Sequence, residues 1–178
     1  MMRSTGRRRL AYSDGTPSVS YSYDNGLAGT NTNNTHGRLV SVSNSNSTTN
    51  FTSYDAKGNV TASSQVTGGH TYNFSYTYNL TSALTSETYR DGRKLTTNYD
   101  AANRVSTLSG KLGTTTTNYV TQSLYWPNGI VSTLARGNNV SLTTQITNRQ
   151  QLACAIERTT RLDGNCGPSV WAGTRTTL

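Results

Sequence analysis

The sequence predicts an all-β protein built as an antiparallel meander of repeated β-hairpins. Three observations predict this class: the composition, the alternation of apolar and polar residues, and a turn motif that recurs along the chain. Thr, Ser, Asn, Gly and Tyr dominate the 178 residues, a mixture poor in helix formers and rich in strand and turn formers. The eleven tyrosines and many valines and leucines stand at alternating positions, as in half-buried strands.

The apolar content also allows a second interpretation, a disordered polypeptide. Hydrophobic residues make up 32% of the sequence, and chains with little apolar surface to bury do not offset the entropy lost on folding. The alternating pattern favours a folded sheet, because a solvated coil has no need of such alternation. We therefore predict a folded chain.

Charge and composition divide the chain into three parts. We predict a basic N-terminal arm over residues 1–10, a repeat strip over residues 11–152, and an irregular C-terminal tail over residues 153–178. The formal net charge is +8, but four arginines lie within the first nine residues, and opposite charges nearly balance in the strip. Because a terminal arginine cluster is usually a solvated arm, the charge argues against nucleic acid as a partner.

A turn motif recurs along the strip. In the segment FTSYDAKGNVTASS, residues 51–64, the order is Tyr-Asp-x-x-Gly-(Arg or Asn)-(Leu or Val). Copies with changes or an insertion follow at intervals of about 20 to 30 residues, as expected of a repeat protein with one supersecondary unit per period. The copies are defined by Tyr21, Tyr23, Asp24, Gly37, Arg38 and Leu39; Tyr54, Asp55, Gly58, Asn59 and Val60; Tyr76, Tyr78, Asn79, Ser82 and Leu84; Tyr99, Asp100, Asn103, Arg104 and Val105; Tyr125, Trp126, Gly129 and Val131; and a trace at Ile146, Thr147 and Asn148.

Each copy predicts a hairpin turn with a glycine bulge. Asp at the first position of a type I turn accepts hydrogen bonds from the backbone amides that follow, and the fourth residue is commonly Gly because the chain there enters the left-handed region. Asp55 and Gly58 fit this template, and Asn103 is the best non-glycine substitute at the fourth position. The Tyr and the later Leu or Val then form a cross-strand pair on one face.

A second turn type is predicted to alternate with the first. Asp14-Gly15 and Asp91-Gly92 are Asp-Gly pairs, the strongest short hairpin signal. Each lies about nine residues before the next Tyr-Asp pair. The predicted rhythm is strand, Asp-Gly turn, strand, Tyr-Asp turn.

The repeated motif resembles the YD repeat of the RHS (rearrangement hotspot) family, found in bacterial polymorphic toxins, in the B and C components of insecticidal toxin complexes and in animal teneurins. The similarity covers about residues 10–152, most clearly in YSYDNG, GRLVSVS, YDAKGNV, YTYN, YRDGRKLTTNYDAANRV and YWPNGIV. It implies a curved β-strip that closes into a hollow shell, often around a toxic C-terminal domain. The chain has fewer repeats than such a shell and lacks the family's Asp-Pro-x-Gly-Leu self-cleavage signature, so we interpret it as a fragment.

Acidic and histidine side chains indicate no catalytic or metal site. Asp24, Asp55 and Asp100 hold the same place in separate units, so turn capping is expected rather than acid–base catalysis. His36 and His70 lie among Asn, Gly and Thr residues typical of loops, with no Cys or acid at metal-ligand spacing. We therefore predict no catalytic, cofactor-binding or metal-binding residue and no enzyme activity.

Cysteine and serine chemistry is equally weakly indicated. Cys154 and Cys166 are the only cysteines, and the eleven residues between them allow one disulfide, but no CxxC pair or His cluster indicates zinc. Two unrelated thiols are the favoured interpretation. No Gly-x-Ser-x-Gly elbow accompanies the many serines, so composition explains them better than a Ser-His-Asp triad.

The resemblance implies a non-enzymatic scaffold, part of an RHS/YD-repeat shell that encloses or presents a toxin in a larger secreted or surface-delivered bacterial protein. The expected partners are the remaining repeats of a longer parent chain, or other copies through open sheet edges, and a toxin cargo. The alternative is an adhesin-like β module that binds carbohydrate through exposed tyrosines. No segment is apolar enough for membrane insertion and the N-terminus has no apolar h-region, so export through a parent chain or a non-Sec route is expected.

Overall fold

A computed structural model of the chain describes residues 6–24 and 33–159. These residues form thirteen β-strands and no helix, and so contain no helix that could cross a membrane. The strands are β1 (Arg7–Leu10), β2 (Val19–Tyr23), β3 (Leu39–Ser43), β4 (Ser47–Tyr54), β5 (Val60–Thr67), β6 (His70–Tyr78), β7 (Leu84–Thr88), β8 (Lys94–Tyr99), β9 (Val105–Leu112), β10 (Thr115–Tyr125), β11 (Val131–Arg136), β12 (Ser141–Ile146) and β13 (Leu152–Arg158).

The strands follow one another in the sheet in the order in which they occur in the chain. The strand pairs are antiparallel, from β1 with β2 at one end to β12 with β13 at the other. Adjacent strands are therefore joined by hairpin connections rather than crossovers. This order confirms the predicted all-β antiparallel meander.

The described residues form two compact units, one within Met1–Thr96 with Lys111–Thr115 and one within Thr97–Gly110 with Thr116–Leu178. Because successive strands run in opposite directions, the turns after even-numbered strands share one edge of a unit. The motif tyrosines stand at the ends of even-numbered strands. The motif therefore marks one edge of each unit, which we call the tyrosine edge.

Buried apolar side chains are few among the described residues. Val40 and Tyr54 are the buried hydrophobic residues, at 9% and 8% exposure. The buried polar residues are Thr35, Ser63, Ser86, Ser123 and Thr144. Hydrogen bonds therefore carry a larger share of the stability here than in a protein with a wide apolar core.

One turn geometry occurs at seven places in the described residues. In each turn the backbone N–H of the first residue donates to the carbonyl of the fifth residue, and the N–H of the fourth residue donates to the carbonyl of the first. The fourth residue has a positive φ. In the turn at residues 55–59, Asp55 donates to Asn59 at 2.9 Å, and Gly58, at φ 96°, donates to Asp55 at 3.1 Å. The seven turns span residues 55–59, 79–83, 89–93, 100–104, 126–130, 136–140 and 147–151. The left-handed fourth residue sets the direction of the following strand.

A bulge accompanies the turn at the motif tyrosine. The sheet register shifts between Ser53 and Tyr54, and corresponding shifts precede Tyr23, Tyr78 and Tyr125. The tyrosine then stands opposite the Leu or Val that follows the turn. These cross-strand pairs are Tyr23 with Leu39, Tyr54 with Val60, Tyr78 with Leu84 and Tyr125 with Val131.

The Asp-Gly segment at residues 89–93 differs from the predicted second turn type. Tyr89 donates its N–H to the Arg93 carbonyl at 2.8 Å, and Gly92 donates to the Tyr89 carbonyl at 3.0 Å, so the five-residue turn is used again. A two-residue type I′ turn would need positive φ at both Asp91 and Gly92, whereas only Gly92, at 80°, has it. Asp91 instead accepts a hydrogen bond from the Arg93 N–H at 2.9 Å.

The sheet extends past the predicted limits of the strip at both ends. β1 lies in the predicted N-terminal arm and pairs with β2 from Arg7 opposite Ser22 to Leu10 opposite Val19. β13 lies largely in the predicted tail and pairs with β12. Neither strand carries the motif, but antiparallel pairing satisfies backbone N–H and C=O groups whatever the side chains are. Residues 1–5 and 160–178, the rest of the predicted arm and tail, lie outside the described residues.

The predicted loop setting of His70 and the predicted free state of Cys154 are both wrong. His70 is the first residue of β6 and stands opposite Thr67, because Gly68 and Gly69, at φ 57° and 76°, close a two-residue turn. Cys154 lies in β13 and is disulfide-bonded. The other cysteine, Cys166, lies outside the described residues.

We predict that Gly58→Val destabilises the first unit and that Ala56→Val in the same turn does not. Valine at φ 96° is strained by about 1–3 kcal/mol, and its Cβ would also approach the Arg38 guanidinium at 3.4 Å. Ala56 is exposed and lies outside the left-handed region. Urea unfolding of both variants measures the difference, and equal midpoints would contradict the turn assignment.

Candidate functional site

Motif tyrosines connect successive hairpins along the tyrosine edge. The hydroxyl of Tyr54, at the end of β4, donates to the carbonyl of Leu39, at the start of β3, at 2.5 Å. The hydroxyl of Tyr78, at the end of β6, donates to the carbonyl of Val60, at the start of β5, at 2.8 Å. Each acceptor is the Leu or Val that ends the preceding copy of the motif. Each of these two tyrosines therefore stands opposite a residue of its own hairpin and donates a hydrogen bond to the hairpin before it.

The second unit contains the same hydroxyl-to-carbonyl hydrogen bond, and its donor is a tyrosine in one hairpin and a threonine in the next. Tyr125 donates to the Val105 carbonyl at 2.6 Å. The last copy of the motif has no tyrosine, and Thr144 in β12 donates to the Val131 carbonyl in its place. The Thr144 hydroxyl in turn accepts a hydrogen bond from Trp126 Nε1 at 3.1 Å. The hydroxyl-to-carbonyl bond is thus retained where the tyrosine is lost.

Polar side chains at the third and fifth positions of one turn donate hydrogen bonds to the next turn on the same edge. Their amide, ammonium or guanidinium groups reach a backbone carbonyl or a hydroxyl. The pairs are Arg38 Nη1 with Asp55 O at 3.0 Å, Lys57 Nζ with Leu80 O, Asn59 Nδ2 with Ser82 Oγ at 3.0 Å, and Asn128 Nδ2 with Gln150 O at 2.8 Å.

Arginines at the fifth position also cover tyrosine rings. The Arg38 Cζ lies 5.2 Å from the centroid of the Tyr54 ring, and the Arg104 Cζ lies 4.5 Å from that of Tyr125. Arg104 also bonds to one carboxylate oxygen of Asp100, with Nε at 2.8 Å and Nη2 at 2.7 Å. An exposed cation over an aromatic ring contributes about 0.5–1 kcal/mol, so these arginines reinforce the tyrosine contact.

The electrostatics of the edge follow from these contacts. A hydrogen bond from the Asn59 side chain lowers the pKa of Asp55, and one from the Arg104 side chain lowers the pKa of Asp100. Burial raises the pKa of Tyr78, which keeps its phenol protonated as a donor. The carboxylates are therefore ionised acceptors and the phenol is a neutral donor near neutral pH.

The copy with the inserted loop closes with the same outer backbone hydrogen bond but a different inner one. Asp24 donates its N–H to the Arg38 carbonyl at 3.0 Å, the bond that corresponds to Asp55 with Asn59. Gly37, at φ 72°, donates its N–H to the Asp24 carboxylate, and His36 Nδ1 lies 3.6 Å from the same oxygen. Residues 25–32 of the insertion lie outside the described residues.

The remaining predicted motif residues occupy turns or strand ends. Tyr99 ends β8 and directly precedes Asp100, whose carbonyl accepts the Asn103 N–H at 2.9 Å. Asn103 has φ 60°, and Gly129, the fourth residue of its own turn, has φ 87°. The structure therefore places the motif aspartates in separate turns and brings none of them together in a shared pocket within a unit.

An open groove of about 550 Å³ lies beside the turn at residues 100–104. Its polar lining includes Asp100, Arg104, Thr121, Ser123 and Tyr125. Asp100 is bonded to Arg104, and the Tyr125 hydroxyl is bonded to a backbone carbonyl, so both groups are engaged in holding the turn. No group of three or more His, Cys, Asp and Glu residues that could hold a metal occurs in residues 6–24 and 33–159.

The sequence did not reveal the donors of the turn-to-turn bonds. Lys57 and Asn128 occupy the third position of their turns, and nothing in the repeated pattern restricts that position. Their acceptors are backbone carbonyls, which any donor can satisfy, so residue identity carries little signal. A preference for long or amide side chains at this position is the pattern that could have indicated them.

Solved structures with the same fold come from Tc toxin complexes. A structure of TcdB2-TccC3-Cdc42 superposes with a TM-score of 0.74 and 16% identity, over 88% of this chain and 9% of that chain. A structure of TcdB2-TccC3 gives a TM-score of 0.74 and 17% identity, over 84% of this chain and 8% of that chain. These complexes contain RHS/YD-repeat chains. This chain has the fold of a YD-repeat strip.

The chain spans less than a tenth of the length of those toxin-complex chains. The Tc holotoxin pore of Photorhabdus luminescens gives a TM-score of 0.72 at 17% identity, over 85% of this chain and 8% of that chain. No protein-family model matches the chain, and no curated protein sequence matches it. The likeness therefore lies in the backbone fold, and the predicted resemblance is confirmed at that level.

We predict that Tyr78→Phe destabilises the first unit by about 0.5–1.5 kcal/mol, because it removes the hydroxyl that bonds to Val60 while keeping the ring. Tyr72→Phe is the matched control, since Tyr72 is an exposed residue of the same strand, at 39% exposure. Chemical unfolding of the two variants checks this. A control variant as unstable as Tyr78→Phe would show that the inter-hairpin bond has no special weight.

We also predict that acid weakens the second unit through Asp100. Its folded pKa lies below the unfolded value of about 3.9, so its stabilising contribution is present above that value and is lost as the pH falls through the folded pKa. Asp100→Asn and Arg104→Gln should each flatten the dependence of the unfolding midpoint on pH between about pH 5 and pH 2. A slope unchanged in both variants would contradict the role of this pair.

Proposed function

We propose that the chain is a structural segment of a longer bacterial YD-repeat polypeptide, whose repeats together enclose or present a toxin. The observation that carries this proposal is the extent of the fold match. It takes in 88% of this chain but 9% of a toxin-complex chain. The segment supplies hairpins of a wall, and the wall needs the remaining repeats of its parent or further copies of the strip.

The state of the motif carboxylates supports a scaffold rather than an enzyme. Asp55 accepts hydrogen bonds from the backbone and side chain of Asn59, at 2.9 Å and 2.8 Å. Asp100 accepts hydrogen bonds from Arg104 in the same arrangement. A carboxylate that caps its own turn and has a lowered pKa is a poor general base, because it binds protons weakly at neutral pH. The chemistry of these residues is therefore structural.

The use of the tyrosines disfavours the carbohydrate-binding alternative. A sugar-binding platform needs exposed aromatic faces. Tyr54 is buried, and its ring is covered by Arg38. Tyr72 is exposed, but the Arg90 Cζ lies 5.2 Å from its ring centroid. Tyr119, at 40% exposure, is the better test of this alternative.

Delivery outside the bacterial cell follows from the same proposal. The Photorhabdus luminescens structure is a holotoxin pore, and a wall segment of such an assembly would be exported with its parent chain. The toxin cargo would then be an additional domain or chain within the assembly.

The native polypeptide tests the proposal. An antibody against the purified chain should detect, in the cells that encode it, a polypeptide several times longer than 178 residues. Electron microscopy of that polypeptide should show a hollow β-shell. A native product of 178 residues would contradict the proposal. So would saturable binding on a glycan array that Tyr119→Ala abolishes, since that result supports the adhesin alternative.

A further inference from the structure

The open groove of the second unit is lined by five consecutive residues of β10, from Thr121 to Tyr125. A regular strand presents alternate residues to one face, so a regular β10 would line the groove with every second side chain. The register between β10 and β11 shifts between Val120 and Gln122 and again between Leu124 and Tyr125. Such bulges bend a strand and re-aim its side chains, and they are common beside functional sites.

Four polar side chains of the groove lining make no side-chain hydrogen bond to residues 6–24 and 33–159, the described part of the chain. They are Ser106, Gln122, Ser123 and Ser132. Each of the three hydroxyls can donate and accept a hydrogen bond, and the amide of Gln122 can do both as well. The groove therefore holds unused hydrogen-bonding capacity of both kinds.

Ser123 shows where this capacity is directed. The residue is 6% exposed, so more than nine-tenths of its surface is buried. In the described ranges every fully inaccessible side-chain oxygen or nitrogen has a hydrogen-bond partner. Because the Ser123 hydroxyl has none there, its oxygen retains some exposure, and it opens into the groove that the residue lines. A buried hydroxyl without a protein partner is normally satisfied by water or by a ligand.

The charges of the groove lining cancel. Its ionised residues are Asp100 and Arg104, and Arg104 Nη2 lies 2.7 Å from a carboxylate oxygen of Asp100. An ion pair at this distance leaves little net attraction for an anion or a cation. Apolar surface comes from Leu124, which is 48% exposed, and from the Tyr125 ring, which Arg104 covers on one face. A ligand that matches this lining is neutral and mainly polar.

We propose that this groove is a binding site for a neutral sugar, a short oligosaccharide whose hydroxyl groups pair with Gln122, Ser123 and Ser132. A sugar presents adjacent hydroxyls that donate and accept at once, as these side chains do. The groove volume of about 550 Å³ falls within the range of about 300–1,000 Å³ that is usual for small-molecule sites. The site uses no exposed tyrosine platform, because Tyr119 is not among its lining residues.

A peptide matches the groove less well than a sugar does. Peptides that bind to a sheet pair with an open strand edge or insert side chains into pockets. β10 has strand neighbours on both sides, β9 and β11, so its backbone groups are already used. Leu124 is the one aliphatic side chain of the lining, which leaves no apolar pocket for a peptide side chain.

A glycan array with the labelled full chain, followed by an NMR titration with the neutral oligosaccharide that binds, tests this site. We expect saturable binding. Gln122→Ala and Ser123→Ala should each weaken it about 2- to 10-fold, since each removes a group that hydrogen-bonds the sugar. Gln122 is exposed, so its replacement tests the site even where the replacement of buried Ser123 disturbs the fold.

Thr133→Ala is the matched control for Ser132→Ala. The two residues are neighbours in β11 and point to opposite faces of the sheet, and Thr133 does not line the groove. Ser132→Ala should weaken binding about 2- to 10-fold, whereas Thr133→Ala and Tyr119→Ala should leave it unchanged. Thermal unfolding of the free variants shows whether the fold is kept.

Three results would overturn the inference: no saturable binding to any neutral glycan, binding of anionic glycans alone, or binding that neither Gln122→Ala nor Ser132→Ala weakens. Loss of binding with Tyr119→Ala would place the glycan on an exposed tyrosine instead and would also overturn it. The length of the native polypeptide, which tests the proposed function, affects none of these measurements. The two proposals can therefore fail separately.

Discussion

The hydrogen bond from a motif hydroxyl to the carbonyl of the preceding hairpin is the constraint on which the arrangement of hairpins depends. An isolated two-stranded hairpin is marginally stable in water, so each hairpin needs its neighbours. Tyr54 and Tyr78 each stand opposite a residue across their own turn, while the hydroxyl of each donates to the hairpin before it. Local folding and the joining of hairpins are thus coupled in a single side chain.

The turns provide a second constraint, because they fix the direction in which each new strand begins. The fourth position adopts a left-handed conformation whether it holds Gly58, Ser82, Asn103 or Gln150. Ser82 and Gln150 carry a steric cost that glycine lacks. Because the turn survives these substitutions, the hydrogen bonds on both sides of it hold the backbone in place.

The sequence predicted the turns, whose residue types are restricted by local geometry. It did not predict the contacts in which a strand or side chain bonds to a backbone group elsewhere in the sheet. The turn led by Asp55 was predictable because capping and left-handed φ restrict residue type. β1 and β13 were missed because strand pairing does not require the motif. The bond from Thr144 to Val131 was not predicted, because its donor lies two residues before Ile146, which holds the place of the motif tyrosine. The turn at residues 89–93 was predicted as a second turn type because an Asp-Gly pair suits both a two-residue hairpin turn and the five-residue turn.

The scarcity of buried apolar side chains affects how the chain responds to temperature. Apolar surface exposed on unfolding raises the heat capacity, whereas polar surface lowers it. Beyond Val40 and Tyr54, the buried side chains of residues 6–24 and 33–159 belong to serines and threonines. The heat-capacity change per residue should therefore fall below the usual value of about 12–15 cal/mol/K. Such a chain has a broad stability curve and loses little of its folding free energy on cooling.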